Sequence, residues 1–276
     1  MLAFITSLRH PHTSGDYARV EALLAETLAS VSRQTAPHSV WVVGNRRPDG
    51  LPSDAHWVQV DFDAPSALDG PRTGVAAVLR DKGSKLATGL LAARESSPDH
   101  VMFIDADDLV SRRLAALSAA NPDAAGWQIE HGYRWSAGRG AVRRQPEFHR
   151  HCGSGCIVRA DLYNLPSDVR ADASQAELAA RLGDRLERWF GSHLHLADDM
   201  EAAGHPLMPV PFPGALYRVS TGENHSGVSL GGLGRPISRA LAAEFGIPAT
   251  PWRPVPLARA VLPSRRGVVE RLPWRR

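Results

Sequence analysis

Residues 101 to 110 read Val101-Met-Phe-Ile-Asp-Ala-Asp-Asp-Leu-Val110: four apolar residues run directly into three carboxylates, Asp105, Asp107 and Asp108. A short apolar run bounded by charge predicts a buried strand over 101–104 that ends at Asp105. In open α/β sheets the carboxyl ends of such strands deliver side chains to the ligand crevice. Crowded carboxylates repel one another, and a hard divalent cation relieves that repulsion. Mg²⁺ or Mn²⁺ takes oxygen ligands and is commonly held by one or two carboxylates plus substrate phosphates. A single Asp would serve as the cap of the helical sequence that follows from residue 111. Three within four positions point instead to a metal site.

Outward from this strand, the flanking sequence alternates elements. A strand is predicted over 2–8 and a helix from the Thr13-Ser14-Gly15-Asp16 cap to about residue 34, with Val20, Leu23, Leu24, Leu28 and Val31 on one face. Further strands are predicted over 39–43 and 57–62, and a loop rich in Asp, Pro and Gly over 63–72. A helix from Gly83 carries Leu86, Leu90 and Leu91 on its apolar face. This β-α-β-β-α-β order implies an α/β fold with a largely parallel, doubly wound sheet. In the second half, strands are predicted over 126–135 and 156–158 and a helix over 175–190. A His- and Asp-rich segment over 192–199 follows.

The chain has 276 residues with 43% hydrophobic and 22% charged content, ordinary values for a globular protein with an ample core. No apolar stretch is long enough to span a bilayer, and the amino terminus lacks the basic region of a signal peptide. These features place the protein in the cytoplasm. From residue 251 onward seven arginines face one acid, Glu270, and five prolines argue against a continuous helix. Such a tail suits peripheral contact with anionic lipid at the inner membrane face; it serves equally as a solvated tail or a strap across the domain.

Of the 32 basic residues only Lys82 and Lys85 are lysines, a short way before the carboxylates. A compact ammonium differs from a guanidinium as a phosphate partner. Cys152 and Cys156 flank Gly153-Ser154-Gly155. In extended chain they stand about 13 Å apart, too far for a disulfide. Without a second Cys pair they read as buried thiols beside a tight turn and not as a zinc site.

In layout over residues 2 to 226 the chain resembles a GT-A glycosyltransferase, most closely family 2. The resemblance rests on Phe103-Ile-Asp105-Ala-Asp107-Asp108 and on Gly83-Ser-Lys85-Leu-Ala87-Thr-Gly89-Leu ahead of it. It implies one domain over 1–250, with a nucleotide-binding half (1–110) and an acceptor half (111–250), followed by a tail over 251–276. It further implies that Asp105 and Asp107 form the Asp-x-Asp motif, binding Mn²⁺ or Mg²⁺ with His225, Asp105 also contacting the donor. Thr6, Ser7, Arg9 and Asn45 match nucleotide-contacting positions, although the family often has an acid where Asn45 stands. Lys82 would lie near the diphosphate and Lys85 near the donor loop. Asp199, with Asp198, would be the general base of an inverting transfer, His193 and His195 standing behind it. Here the usual Thr-Glu-Asp is Leu196-Ala-Asp198-Asp199. Trp127, Trp135, Gly153 and Ser154 would build the acceptor side. The implied partners are a nucleotide-sugar donor, with UDP the expected carrier, and a saccharide or other hydroxyl acceptor; no nucleic acid is expected and a homodimer is allowed.

Three rivals share parts of this pattern. Phe103-Ile-Asp105-Ala-Asp107 also resembles the nucleophile loop of haloacid-dehalogenase-like phosphatases. In those, however, the nucleophile strand opens the core and the phosphate-binding lysine follows it, whereas Lys82 and Lys85 precede Asp105. A sugar-phosphate nucleotidyltransferase would carry a glycine-rich loop after the first strand, where Ser7-Leu-Arg-His-Pro has no glycine. A non-catalytic nucleotide-sugar-binding module is the third.

Overall fold

A computed structural model of the chain describes residues 1–65, 75–222 and 227–263. The main sheet contains β1 (Leu2–Ser7), β2 (His38–Gly44), β3 (Ala55–Gln59), β4 (His100–Asp105), β6 (Gly126–Gln128), β9 (Cys156–Arg159) and β10 (Met208–Pro209). Their order is β10-β6-β9-β4-β1-β2-β3, and every pairing is parallel except those of β9 with β4 and β6. The protein is therefore α/β with a largely parallel central sheet. From β1 the chain builds outward through β2 and β3, then returns to lay β4 on the other side of β1. A ligand crevice opens at the carboxyl ends of strands where the order reverses in this way. The register there sets Ser7 beside Asp105.

Residue alternation along these strands feeds two layers. Leu2, Phe4, Val40, Val42, Met102 and Ile104 point into one core with Val20, Leu24 and Leu28 of α1 (Tyr17–Val31) and Leu114 of α3 (Leu114–Ala120). Ala3, Ile5, Trp41, Val43, Val101 and Phe103 point into the other with Leu86 and Leu90 of α2 (Val75–Ala93), Leu178 of α4 (Gln175–Leu182) and Leu196 of α5 (Leu196–Ala202). Strands covered on both faces read as continuous apolar runs, which is why they stand out in the sequence.

A second sheet, ordered β12-β8-β7-β11-β5, is formed by β5 (Leu109–Val110), β7 (His131–Ser136), β8 (Ala141–Pro146), β11 (Ala215–Arg218) and β12 (Arg235–Pro236). It packs on Phe245 of α6 (Arg239–Phe245). The single strand expected over 126–135 is thus two strands in two sheets, with the chain crossing over at Ile129 and Glu130. Because β6, β9 and β10 complete the main sheet, residues on both sides of position 110 build it. The helix expected over 175–190 stops at Gly183, whose φ of +55° is left-handed, and resumes as a π-helical turn, Leu186–Gly191. The helix expected from Gly83 starts at Val75, because charged side chains in its first turns find partners: Arg80 pairs with Glu187 at 3.1 Å and Asp81 with Lys85 at 2.8 Å. Part of the tail is helical, α7 (Pro254–Val261); its prolines sit in the first turn, where no N–H is needed. No helix among the described residues is long and apolar enough to cross a membrane.

Backbone meets backbone where α2 crosses the π-helical turn. A Cβ on Gly83 would overlap the carbonyl oxygen of Leu186 and lie 3.2 Å from the nitrogen of Gly191. Gly83→Ala is expected to lower stability by about 1–3 kcal/mol, the usual cost of overpacking. Urea unfolding of the purified variant checks this; an unchanged midpoint would show that the two elements can separate freely.

Candidate functional site

Asp105 ends β4 at the reversal of strand order, and the chain turns at once, with Asp108 N–H donating to Asp105 O at 3.0 Å. That tight turn splits the three acids. Asp105 and Asp107 are half-buried, whereas Asp108 is fully buried beneath them. Asp108 accepts from Cys152 Sγ and Ser154 Oγ, both at 2.7 Å, and from the backbone N–H of Arg218 at 3.2 Å. Ser154 Oγ also accepts from Asp105 N–H at 2.9 Å. Gly153 lies against Asp105 and Lys82: a Cβ there would stand 2.6 Å from Asp105 Oδ2 and 2.8 Å from Lys82 Nζ. The Cys152-Gly153-Ser154 loop, expected on the acceptor side, therefore wraps the carboxylates.

Charge is balanced locally. Lys82, from α2, pairs directly with Asp105. Burial disfavours both charges, but their attraction outweighs it, holding the Asp105 carboxyl below its usual range and the Lys82 ammonium above. Asp107 shifts the other way: burial, then the neighbouring Asp105 charge, push it up to about 7. Burial, then Asp107 and Asp105, also drive Asp108 well above the carboxylate range. Arg218 approaches from β11, only 1% exposed, with its guanidinium 4.4 Å from the Trp135 ring and 2.5 Å from Glu26. Its charge opposes the rise at Asp107.

The other predicted residues separate into edge and interior. Ser7 and Arg9 are half-buried at the end of β1, while Thr6 is fully buried beneath the edge. Asn45 follows β2; its Nδ2 donates to Phe62 O at 2.8 Å, and its buried Oδ1 has no hydrogen-bond partner among the described residues. Lys85 is not at the crevice. It is fully buried, donating to Leu8 O at 3.0 Å and Asp81 Oδ2 at 2.8 Å, and burial shifts both members of that pair toward their neutral forms. It ties α2 to the end of β1, a role that leaves it no reach toward a donor. Trp127 and Trp135, 2% and 3% exposed, are core residues and cannot stack on a sugar ring. Asp198 pairs with Arg150 at 2.8 Å, and Asp199 is gripped by Arg188 at 2.5 and 2.6 Å and by Trp189 Nε1 at 2.7 Å. The Arg188 contact lowers the Asp199 pKa, opposite to what favours a base. His193 instead lines a small cavity with Lys82, Gly153, Trp189 and Phe190, and burial, then Lys82, depress it to about 4. His225 and much of the Asp-, Pro- and Gly-rich loop lie outside the described residues.

Among the described residues, Asp105, Asp108 and Cys152 offer three ligand-type atoms within 4.8 Å of one another. The oxygens suit a hard cation, but Cys152 does not: burial, then Asp108, raise its thiol well above the usual range, so it acts as a donor to Asp108. Asp108 faces inward to that donor set. The half-exposed pair Asp105 and Asp107 thus has the chemistry for Mg²⁺ or Mn²⁺. The sequence groups Asp108 with the other two acids but does not turn it inward, and it gives Cys152 and Arg218 no place at the site. The third carboxylate was itself the available signal for Asp108, and nothing local marks Arg218, which arrives from 110 residues away.

In overall structure the chain is similar to S. aureus TarS 1-349 in complex with UDP (TM-score 0.46, 13% identity, covering 79% of this chain and 60% of that one). It is also similar to TarS 1-349 in complex with UDP-GlcNAc (0.45, 13%, 83% and 61%). A third similar structure is the mannosyltransferase PcManGT from Pyrobaculum calidifontis in complex with GDP-Man and Mn²⁺ (0.41, 18%, 79% and 57%). The chain therefore spans about three fifths of the length of these proteins. No family model and no curated protein sequence matches it.

The Asp107 shift predicts a pH dependence. Its folded-state pKa of about 7 lies above the ordinary 3.8, so the native protein holds more protons between these values and loses stability as pH rises through that window. In chelator-treated buffer, Asp107→Asn should raise the thermal midpoint at pH 8, by about a few degrees, and change little near pH 4. Equal midpoints at pH 8 would show that this carboxylate is not strained.

Proposed function

We propose that the protein is a metal-dependent glycosyltransferase that moves a sugar from a nucleotide-diphosphate donor to an acceptor hydroxyl, with inversion. One observation carries the reading: two half-buried carboxylates, Asp105 and Asp107, stand at the carboxyl end of β4 where the strand order reverses, with the Lys82 ammonium against them. The crevice at such a reversal is where an open α/β sheet takes a nucleotide. Asp105 and Asp107 would hold Mn²⁺ or Mg²⁺, with His225 as a further ligand, and the bound ion supplies Lewis-acid stabilisation of the departing diphosphate. Lys82, displaced from Asp105, is placed to neutralise a phosphate oxygen. Ser7, Arg9 and Asn45 line the nucleotide end. The Asn45 Oδ1, without a hydrogen-bond partner among the described residues, would complement the ring N–H of a uracil or guanine and supports a UDP- or GDP-linked donor.

Two side chains compete for the acceptor proton. Asp199 is a base only when the Arg188 grip loosens, and His193, in the cavity beside Lys82, only when the burial and Lys82 charge that depress it to about 4 are relieved. Gly153 keeps the approach to Asp105 open.

A thermal-shift panel tests the assignment. UDP or GDP should stabilise the protein only when Mn²⁺ or Mg²⁺ is present, and Asp105→Asn and Asp107→Asn should each cut sugar transfer by at least about 100-fold. Stabilisation by Mg²⁺ with phosphate mimics and none by nucleotides would favour a phosphatase. Metal-independent nucleotide-sugar binding without turnover would favour a binding module.

For the base, Asp199→Asn and His193→Asn are compared by kcat against KM. The catalytic base should lower kcat by about 10²- to 10⁴-fold with KM little changed. Unchanged kcat removes the residue concerned from that role.

A further inference from the structure

Eight large apolar side chains stand exposed among the described residues, and five of them lie on two adjoining segments, four on or beside α7 and one next to its end: Trp252 at 88%, Val255 at 70%, Val261 at 37%, Leu262 at 59% and Leu233 at 67%. The segment carrying them is firmly built in. Ala260 of α7 is fully buried, and Gly234 N–H donates to Val261 O at 3.1 Å, which brings Leu233 beside the end of the helix. The Arg139 guanidinium caps that end, donating to Ala260 O at 3.0 Å and Leu262 O at 2.7 Å. Within α7, Pro256, Leu257 and Ala260 face the protein while Val255, Ala258 and Arg259 face outward. The apolar exposure is therefore ordered and one-sided.

The segment itself is strongly basic. Described residues 227–263 contain Arg235, Arg239, Arg253 and Arg259, all exposed, against one acid, Glu244, which is engaged by Ser111, Arg112 and Arg113. The neighbouring β8 strand, paired with β12, adds exposed Arg143, whose guanidinium lies 3.6 Å from where a Cβ on Gly232 would stand. Beyond residue 263 the sequence adds five more arginines and one glutamate.

We propose that this face, centred on Trp252, Val255 and Leu262, docks the protein on a lipid bilayer bearing anionic headgroups. Trp and aliphatic side chains enter the boundary between headgroups and acyl chains, and flanking arginines pair with anionic lipids, their stems lying along the apolar surface. A second copy of the chain fits poorly, because a self-paired patch would bring arginines together. A nucleic acid would use the arginines but leave the aliphatic side chains in water.

Co-sedimentation of the full chain with vesicles of phosphatidylcholine, alone or mixed with phosphatidylglycerol, tests this. Binding should need phosphatidylglycerol and weaken with salt. Trp252→Ser with Leu262→Ser, and separately Arg253→Glu with Arg259→Glu, should each reduce the bound fraction's partition coefficient by about tenfold or more. All four side chains are exposed, so the thermal midpoint should stay unchanged, and it serves as the folding control. The proposal is overturned if the protein ignores anionic vesicles, or if the Trp252/Leu262 variant binds as well as the parent, which would place the contact in the arginine-rich tail. Binding to an oligonucleotide that displaces vesicles without sensing Trp252 would also overturn it, as would vesicle-independent dimerisation lost in the apolar variant.

Discussion

Three carboxylates leave one strand end within four residues, and the fold around them is built to hold that much negative charge out of water. Desolvating an anion is costly unless a counter-charge or hydrogen-bond donors replace the water. Each acid meets this demand differently. Asp105 has Lys82, Asp108 has a ring of donors from Cys152, Ser154 and the Arg218 backbone, and at Asp107 the Arg218 charge opposes the rise that burial and Asp105 cause. Asp107 is also half-exposed at the crevice, where a ligand can reach it.

These counter-groups come from distant parts of the chain, so the carboxylates also organise the architecture. Lys82 requires α2 to lie close to β4, and α2 is positioned by the bond from buried Lys85 to Leu8 O and by Gly83 against the π-helical turn. Ser154 requires the loop before β9, and Gly153 is needed there because a side chain would strike Asp105. Arg218 belongs to the second sheet, and its bond to Asp108 stitches that sheet to the first. Glycine at the closest approaches and buried polar groups at the joints are two forms of one requirement: backbones must come near without leaving charge unanswered.

Much of the main sheet was legible. Its strands are apolar on both faces, and the apolar runs near residues 4, 41 and 102 mark β1, β2 and β4 without knowledge of partners. Where the apolar signal is weak, the reading strayed. The first turns of α2 contain Arg80, Asp81 and Lys82, which look like loop until Glu187, Lys85 and Asp105 appear opposite them. The run over 126–135 looks like one strand because alternation says nothing of which sheet each half joins. Trp127 and Trp135 read as acceptor-side residues, yet both lie in the core, because exposure is not written in residue type.

By itself, then, the sequence determined the doubly wound α/β order and the placing of Asp105 and Asp107 at a strand's carboxyl end, because hydrophobic periodicity and chain direction are local properties. Only the tertiary structure decided that Asp108 turns inward, that Lys82 faces the crevice while Lys85 three residues later is buried, and that Cys152, Ser154 and Arg218 enclose the acids. On a helix a spacing of three keeps two side chains near one face, but which partner each reaches depends on how α2 is set between β1 and β4. Long-range packing fixes that choice, since burial, and with it the cost of every charge, is a property of the assembled fold.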